Sequence, residues 1–146
     1  MFSKACEYAL RATIYIAQNG TEVNKLGVDA IAAGIDAPRS FTAKILQQLN
    51  RGQVINSAKG PQGGFYISPE LQQQPVWNVL VAMQENERLT NCVMGLNQCS
   101  DQRPCPMHGQ YKFIKQHLVD LFKQRRILDI AGEMTKDEIF IKNERR

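Results

Sequence analysis

Three of the four cysteines in this 146-residue chain fall in one stretch, NCVMGLNQCSDQRPCPMHG, from Asn91 to Gly109. A thiolate can ligate metal, attack an electrophile or join a disulfide, and spacing helps to separate these uses. Six residues lie between Cys92 and Cys99, five between Cys99 and Cys105, and His108 follows Cys105 after two more. Structural zinc favours ligand pairs roughly two to four residues apart, because one tight knuckle delivers both. Only Cys105 and His108 meet that condition. Wide, even spacing in a loop rich in Gly, Pro and Asn suits a larger object with several attachment points, such as an iron–sulfur cluster. No Cys-x2-Cys redox pair is present in the sequence. Spacing therefore favours a cluster and leaves zinc, unliganded thiols and a redox disulfide as alternatives.

Three thiolates leave one ligand to find. His108 is the near candidate, and an imidazole ligand would raise the potential of a cluster. Glu7 is the remote candidate, reaching in from the first helix of a partner subunit. Its simpler reading is an exposed helix residue. Cys6 reads as core filler among Ala and Tyr, and His117 as a packing residue near the apolar side of a long helix.

The elements that must position this loop follow from periodicity. Phe2 to Asn19 reads as a helix, with Ala5, Ala9, Ala12 and Ile16 at helical spacing and Asn19-Gly20 as a stop. Val28 to Ala33 reads as a short helix ended by a left-handed turn at Gly34. Asp36 is then expected to cap a third helix with Pro38 in its first turn. That helix, Arg39 to about Leu49, places Phe41, Ile45, Leu46 and Leu49 on one face and turns Arg39, Ser40, Thr42, Lys44 and Gln48 elsewhere. Short helix, turn and second helix with a polar front is a helix-turn-helix pattern.

Val54–Ser57 and Phe65–Ser68 are β-prone runs flanking Gly60, Pro61, Gly63 and Gly64, which predicts a hairpin directly after the helix-turn-helix: a wing. From Asp36 to Tyr66, four basic residues (Arg39, Lys44, Arg51, Lys59) face Asp36 alone, a surplus of three in a chain of net charge +4. A basic surface of this kind suits a polyanion. Pro75 opens another helix, to about Gln84. Gln110 to Ala131 is expected to form one long amphipathic helix with Ile114, Leu118, Leu121, Phe122, Ile127 and Leu128 on its apolar side, a natural dimer element. Thr135 and Glu138 fit a capping box for one last turn.

The organisation expected is a winged helix-turn-helix domain over 1–84, a cysteine-rich loop over 85–109, a dimerisation helix over 110–131 and a tail over 132–146. The fold class is mainly α with a small β-hairpin wing. No run of about 18 apolar residues suggests a membrane span. Glu7 and Arg11 interrupt any apolar signal-peptide core. A cytoplasmic location is expected, where disulfides rarely persist.

The YALRA of the first helix (Tyr8 to Ala12), the wing sequence S-x-K-G-x-x-G-G-F (Ser57 to Phe65) and a cysteine triplet before a long helix together resemble the iron–sulfur winged-helix transcriptional regulators of IscR/NsrR type. The resemblance covers Glu7 to about Leu128. It implies a homodimer on a pseudo-palindromic site in double-stranded DNA, with no enzymatic activity. It also implies a 2Fe–2S cluster, or alternatively 4Fe–4S, on Cys92, Cys99 and Cys105. His108 completes the set in the IscR pattern. In the NsrR pattern an aspartate on the first helix does so in trans, at the position of Glu7 here. The six-residue first spacing departs from the family's usual five. The DNA-contacting residues implied are Arg39, Ser40 and Thr42 as base readers, Lys44 and Arg51 at phosphates or in structural roles, and Ser57, Lys59, Gly60, Gly63 and Gly64 in the wing. Two other readings stay open: a zinc-stabilised or cluster-free winged-helix repressor, and an iron–sulfur electron carrier.

Overall fold

The computed structural model describes residues 1–133 and Ile141; the expected turn at Thr135 and Glu138 lies outside them. Helix α1 runs Lys4–Asn19. It begins later than Phe2 because Ser3 is the cap, its Oγ accepting from the Cys6 N–H at 3.2 Å. The buried stripe of α1 is made of small or β-branched residues, Cys6, Ala9, Ala12, Thr13 and Ile16. Thr13 turns its hydroxyl back to donate to Ala9 O at 2.8 Å, so no polar group faces the core unpaired.

Helix α2, Val28–Ile35, continues through Gly34, and the left-handed residue is Asp36 at φ 55°. Gly34 is required by close approach instead of by a turn. The Tyr15 ring of α1 lies so near that a Cβ at position 34 would fall 2.2 Å from a ring carbon. Asp36 ends α2, its N–H bonding Ala32 O and Ala33 O, while Pro38 caps the next helix without a side-chain bond. The expected Asp36 cap is thereby displaced by two residues. Pro38 keeps Ala37 out of the helical region, so α3 starts only afterwards. Helix α3 spans Arg39–Arg51.

Strands β1 (Asn56–Ala58) and β2 (Gly64–Tyr66) pair antiparallel with Ser57 opposite Phe65. They are shorter than the β-prone runs suggested because Val54, Ile55 and Ile67 turn into the core. Leu26, just before α2, exchanges both backbone bonds with Phe65 at 2.9 and 2.8 Å, which ties the hairpin to the helices.

Helix α4 is Trp77–Ala82, shorter than Pro75–Gln84. Pro75 instead pairs with Arg126 in an isolated bridge, and Gln84 adopts φ 58°. The single helix expected over 110–131 is two: α5, His108–Gln124, and α6, Ile127–Glu133. The break at Arg125 has a clear cause. Val76 N–H donates to Arg125 O at 2.8 Å and Ile127 N–H to Gln74 O at 3.1 Å. Backbone bonds to a distant segment replace helical ones, and Ile127 sinks fully into the core. Helix α6 then packs on α1, which also touches α2, α3, α4 and β2.

Substituting Gly34→Ala forces the Tyr15 ring to move, at a cost of about 1–3 kcal/mol. Urea unfolding should show that cost in the wild-type background and much less of it in Tyr15→Ala, where the ring is gone.

Candidate nucleic-acid interface and cysteine loop

Helix α3 presents two faces. Thr42, Ile45, Leu46 and Leu49 are buried. Ser40, Lys44, Gln47 and Arg51, spaced four, three and four apart, are exposed along the other side. Thr42 belongs to the inner face: it is 0% exposed and its Oγ1 donates to Pro38 O at 2.8 Å. Its expected place among the base readers is corrected accordingly, since the hydroxyl is spent within the first turn. Arg39 is exposed but its Nε lies 2.6 Å from Asp29 Oδ1, so its charge is locally balanced. Arg51 is exposed, its Nε 3.5 Å from Gln47 O. Phe41 stands partly out of the core and meets Tyr8 edge-on at 5.6 Å. Gln47 joins the exposed row unanticipated, although its spacing from Ser40 and Lys44 contains the signal.

The wing carries Ser57, Lys59 and Gly60 fully outward, with Gly63 and Gly64 half-buried behind them. Gly64 has φ +145°, and a Cβ there would meet Leu26 O at 2.7 Å. The glycine lets the hairpin close against the strand-like segment at Leu26. Lys25, adjacent to that bridge, lies over the Tyr66 ring at 5.5 Å and adds a cation that sequence reading did not single out.

The cysteine loop begins after the 3-10 turn Asn86–Leu89 and ends at the first turn of α5. All four cysteines are free thiols. Cys92 is buried, and the nearby backbone amide of Leu96, then those of Met94 and Gly95 with the Cys105 thiol, hold its pKa below the usual thiol value. Cys99 Sγ lies 3.4 Å from His108 Nδ1. Of the four expected ligands, Cys99 and His108 are in contact, and Cys105 is near enough to Cys92 to help lower its pKa. Among the described residues no three such side chains are placed around a single metal ion. The donor set fits a cluster: thiols outnumber imidazole, and amides directed at sulfur are the way proteins stabilise bound thiolate. Asp101, beyond His108, accepts from the His108 ring and from Lys112, and these bonds hold its carboxyl below the ordinary range.

The other sequence candidates sit elsewhere. Glu7 is exposed and pairs with Lys4 at 3.5 Å. His117 is exposed on α5, not packed as expected. Cys6 is in the core, and burial first, then Glu85, pushes its pKa up to about 12. Glu85 is itself buried. It accepts from Ser3 N–H at 2.8 Å and from the Ser3 hydroxyl, and pairs with Arg88 at 3.1 Å. The cap of α1 is therefore fastened to the turn that leads into the cysteine loop.

An amphipathic helix exposing a polar row, flanked by a basic two-stranded wing, defines a winged-helix DNA-binding protein. The chain belongs to the Rrf2 family of iron-dependent transcriptional regulators, whose family model matches residues 2–133. It is 31% identical over 134 residues to an Aquifex aeolicus protein that carries the name of an HTH-type transcriptional regulator, covering 90% of this chain and 92% of that one. Identity to the HTH-type transcriptional regulator IscR of Klebsiella pneumoniae is 22% over 140 residues, covering 90% and 85%. The structure of CymR, described as the global cysteine regulator of B. subtilis, shares the fold with a TM-score of 0.72 at 16% identity, over 91% of this chain and 97% of that one. Members of this family regulate transcription, and the chain is not an enzyme. No helix among the described residues is long and apolar enough to cross a membrane.

Cys6 should stay unlabelled when the native protein is treated with iodoacetamide at pH 8, far below its pKa of about 12, and should label once the chain is unfolded. Unfolding releases its proton only above the ordinary value of 9.0, so this residue lowers stability progressively as pH rises from 9.0 toward 12 and has no effect below that window. Peptide mapping of the alkylated protein checks the first statement and alkaline denaturation of Cys6→Ala the second.

Proposed function

We propose that this chain is a homodimeric cytoplasmic regulator whose affinity for a pseudo-palindromic DNA operator is set by an iron–sulfur cluster held by Cys92, Cys99, Cys105 and His108. The observation that carries the reading is the gathering of three thiols and one imidazole on a single loop of a winged-helix protein, with one thiol already cradled by amides. The contact of Cys99 with His108, with Cys105 near Cys92, suits the two ligands that each iron of a 2Fe–2S cluster takes from the protein; 4Fe–4S is the alternative. His108 is favoured over Glu7 from the partner subunit, because it already contacts Cys99 while Glu7 is engaged by Lys4. When bound, the cluster supplies a centre reactive toward oxidants and nitric oxide and dependent on iron supply.

The chain's own residues do the rest. The exposed row of α3 enters a major groove, with Arg39 and Ser40 nearest the base edges and Lys44 and Arg51 at phosphates. Gln47 extends the row. Ser57, Lys59, Gly60, Gly63 and Gly64 bring the wing against the sugar-phosphate backbone or minor groove, where missing side chains permit close approach. The dimer is supported by Ile114 and Leu121, seven residues apart on α5 and 56% and 50% exposed, with Phe113 beside them at 61%. Apolar residues on such a seam find burial against a second copy. The link from loop to DNA head is Glu85, which joins the turn before Cys92 to the cap of α1, the helix against which α2 and α3 pack. A difference of about 1–3 kcal/mol in DNA affinity between loaded and cluster-free protein suffices for a switch.

A cluster-free regulator is the second reading, favoured by one observation: the free thiol of Cys99 already finds a partner within the protein, at His108. Anaerobic purification decides between them. The wild type is expected to sediment as a dimer, to absorb visible light and to contain iron and acid-labile sulfide in equal amounts. Replacing Cys92, Cys99 and Cys105 by Ala should remove iron and colour while leaving the helical circular dichroism intact. Iron-free wild type would overturn the cluster reading.

A further inference from the structure

We propose that Asp101 is a positioning residue that orients the His108 ring and leaves Nδ1 as the nitrogen facing the sulfur ligands. The proposal rests on the cluster reading of the loop for its purpose, but its geometry stands apart. His108 is 7% exposed, so neither ring nitrogen depends on bulk water for a partner. Nε2 lies 2.8 Å from Asp101 Oδ1, and Nδ1 lies 3.4 Å from Cys99 Sγ. An ionised carboxylate can only accept, so the hydrogen between Nε2 and Oδ1 belongs to the ring. The lone pair is then left on Nδ1, directed at the cysteine. A histidine that ligates metal characteristically donates its other N–H to a carboxylate, which fixes the ring and makes the ligating nitrogen more basic.

Asp101 is exposed and would be a poor anchor alone. Lys112 holds it: Nζ donates to the same Oδ1 at 2.9 Å. Lys112 lies one helical turn beyond His108 on α5, so a single carboxylate oxygen spans two neighbouring side chains of one helix face. The His108 backbone is tethered too, its N–H donating to Cys105 O at 3.0 Å. The ring is thus fixed at Nε2 by Asp101, itself held by Lys112, and at Nδ1 by Cys99, while Cys105 holds the backbone. Neither Asp101 nor Lys112 contributes an atom to the proposed ligand set.

The chain has two histidines, and His117 is exposed and remote from this contact, so His117→Gln leaves one ring to observe. Long-range 1H–15N correlation on the full-length cluster-free protein in that background should show the hydrogen on Nε2 and a bare Nδ1. Asp101→Ala should shift the ring toward a mixture of the two forms, and Lys112→Met should do so less. With cluster bound, Asp101→Ala should shorten cluster lifetime in chelator about 10-fold or more, and pulsed electron resonance of the reduced cluster should show a changed nitrogen coupling. A wild-type ring carrying hydrogen on Nδ1, or an Asp101→Ala ring indistinguishable from wild type, overturns the proposal. Loaded wild type with no nitrogen coupling overturns instead the ligand role of His108, and with it the metal-facing duty assigned to Nδ1, whatever the ring shows in the cluster-free protein.

Discussion

Close approach to one helix is the constraint on which the rest of the structure depends. The inward stripe of α1 is Cys6, Ala9, Ala12, Thr13 and Ile16, small enough for α2, α3, α4 and α6 to pack around it. Gly34 extends the same logic to α2, where the Tyr15 ring occupies the space of a side chain. Larger residues on this stripe would push α3 outward and change the angle at which its polar row is offered. The polar surface that α3 offers is therefore decided by residues buried beneath it.

The same helix receives the loop. Its cap, Ser3, is held by the buried carboxylate of Glu85, which lies seven residues before Cys92. A buried carboxylate is costly unless fully bonded, and Ser3 N–H, Ser3 hydroxyl and Arg88 together satisfy it. Any rearrangement around Cys92 has a short covalent path to this joint. The other end of the loop is pinned to α5 by His108, Asp101 and Lys112 and by Lys115 Nζ on Thr90 O at 3.0 Å. A loop fixed at both ends between the DNA-binding head and an exposed apolar helix is well placed to influence both.

Much of this is legible in the sequence. Apolar spacing located α1 to α4, and the glycine cluster from Gly60 to Gly64 marked the wing, because helix faces and tight turns are local properties. Two of the misreadings share a cause: each was settled by a distant partner. The break at Arg125 depends on backbone bonds to Gln74 and Val76, so the local pattern continued smoothly across it. Gly34 looked like a turn residue because the Tyr15 ring above it is nineteen positions away. Thr42 looked outward-facing by polarity, yet its hydroxyl was satisfied by Pro38 within one turn. At the loop, the cysteines and His108 stood out by residue type, whereas Asp101 and Glu85 did not, since a carboxylate reveals its role only through what it bonds.

In the function proposed above, the state of the cysteine loop alters how the winged heads meet duplex DNA. The most direct measurement is the dissociation constant for one operator fragment, taken at fixed salt with the same anaerobic preparation before and after removal of its iron. A change within about 5–150-fold is expected, reversed when the cluster is rebuilt. Equal affinities for loaded and stripped protein, with iron and sulfide measured in the loaded sample, would contradict it.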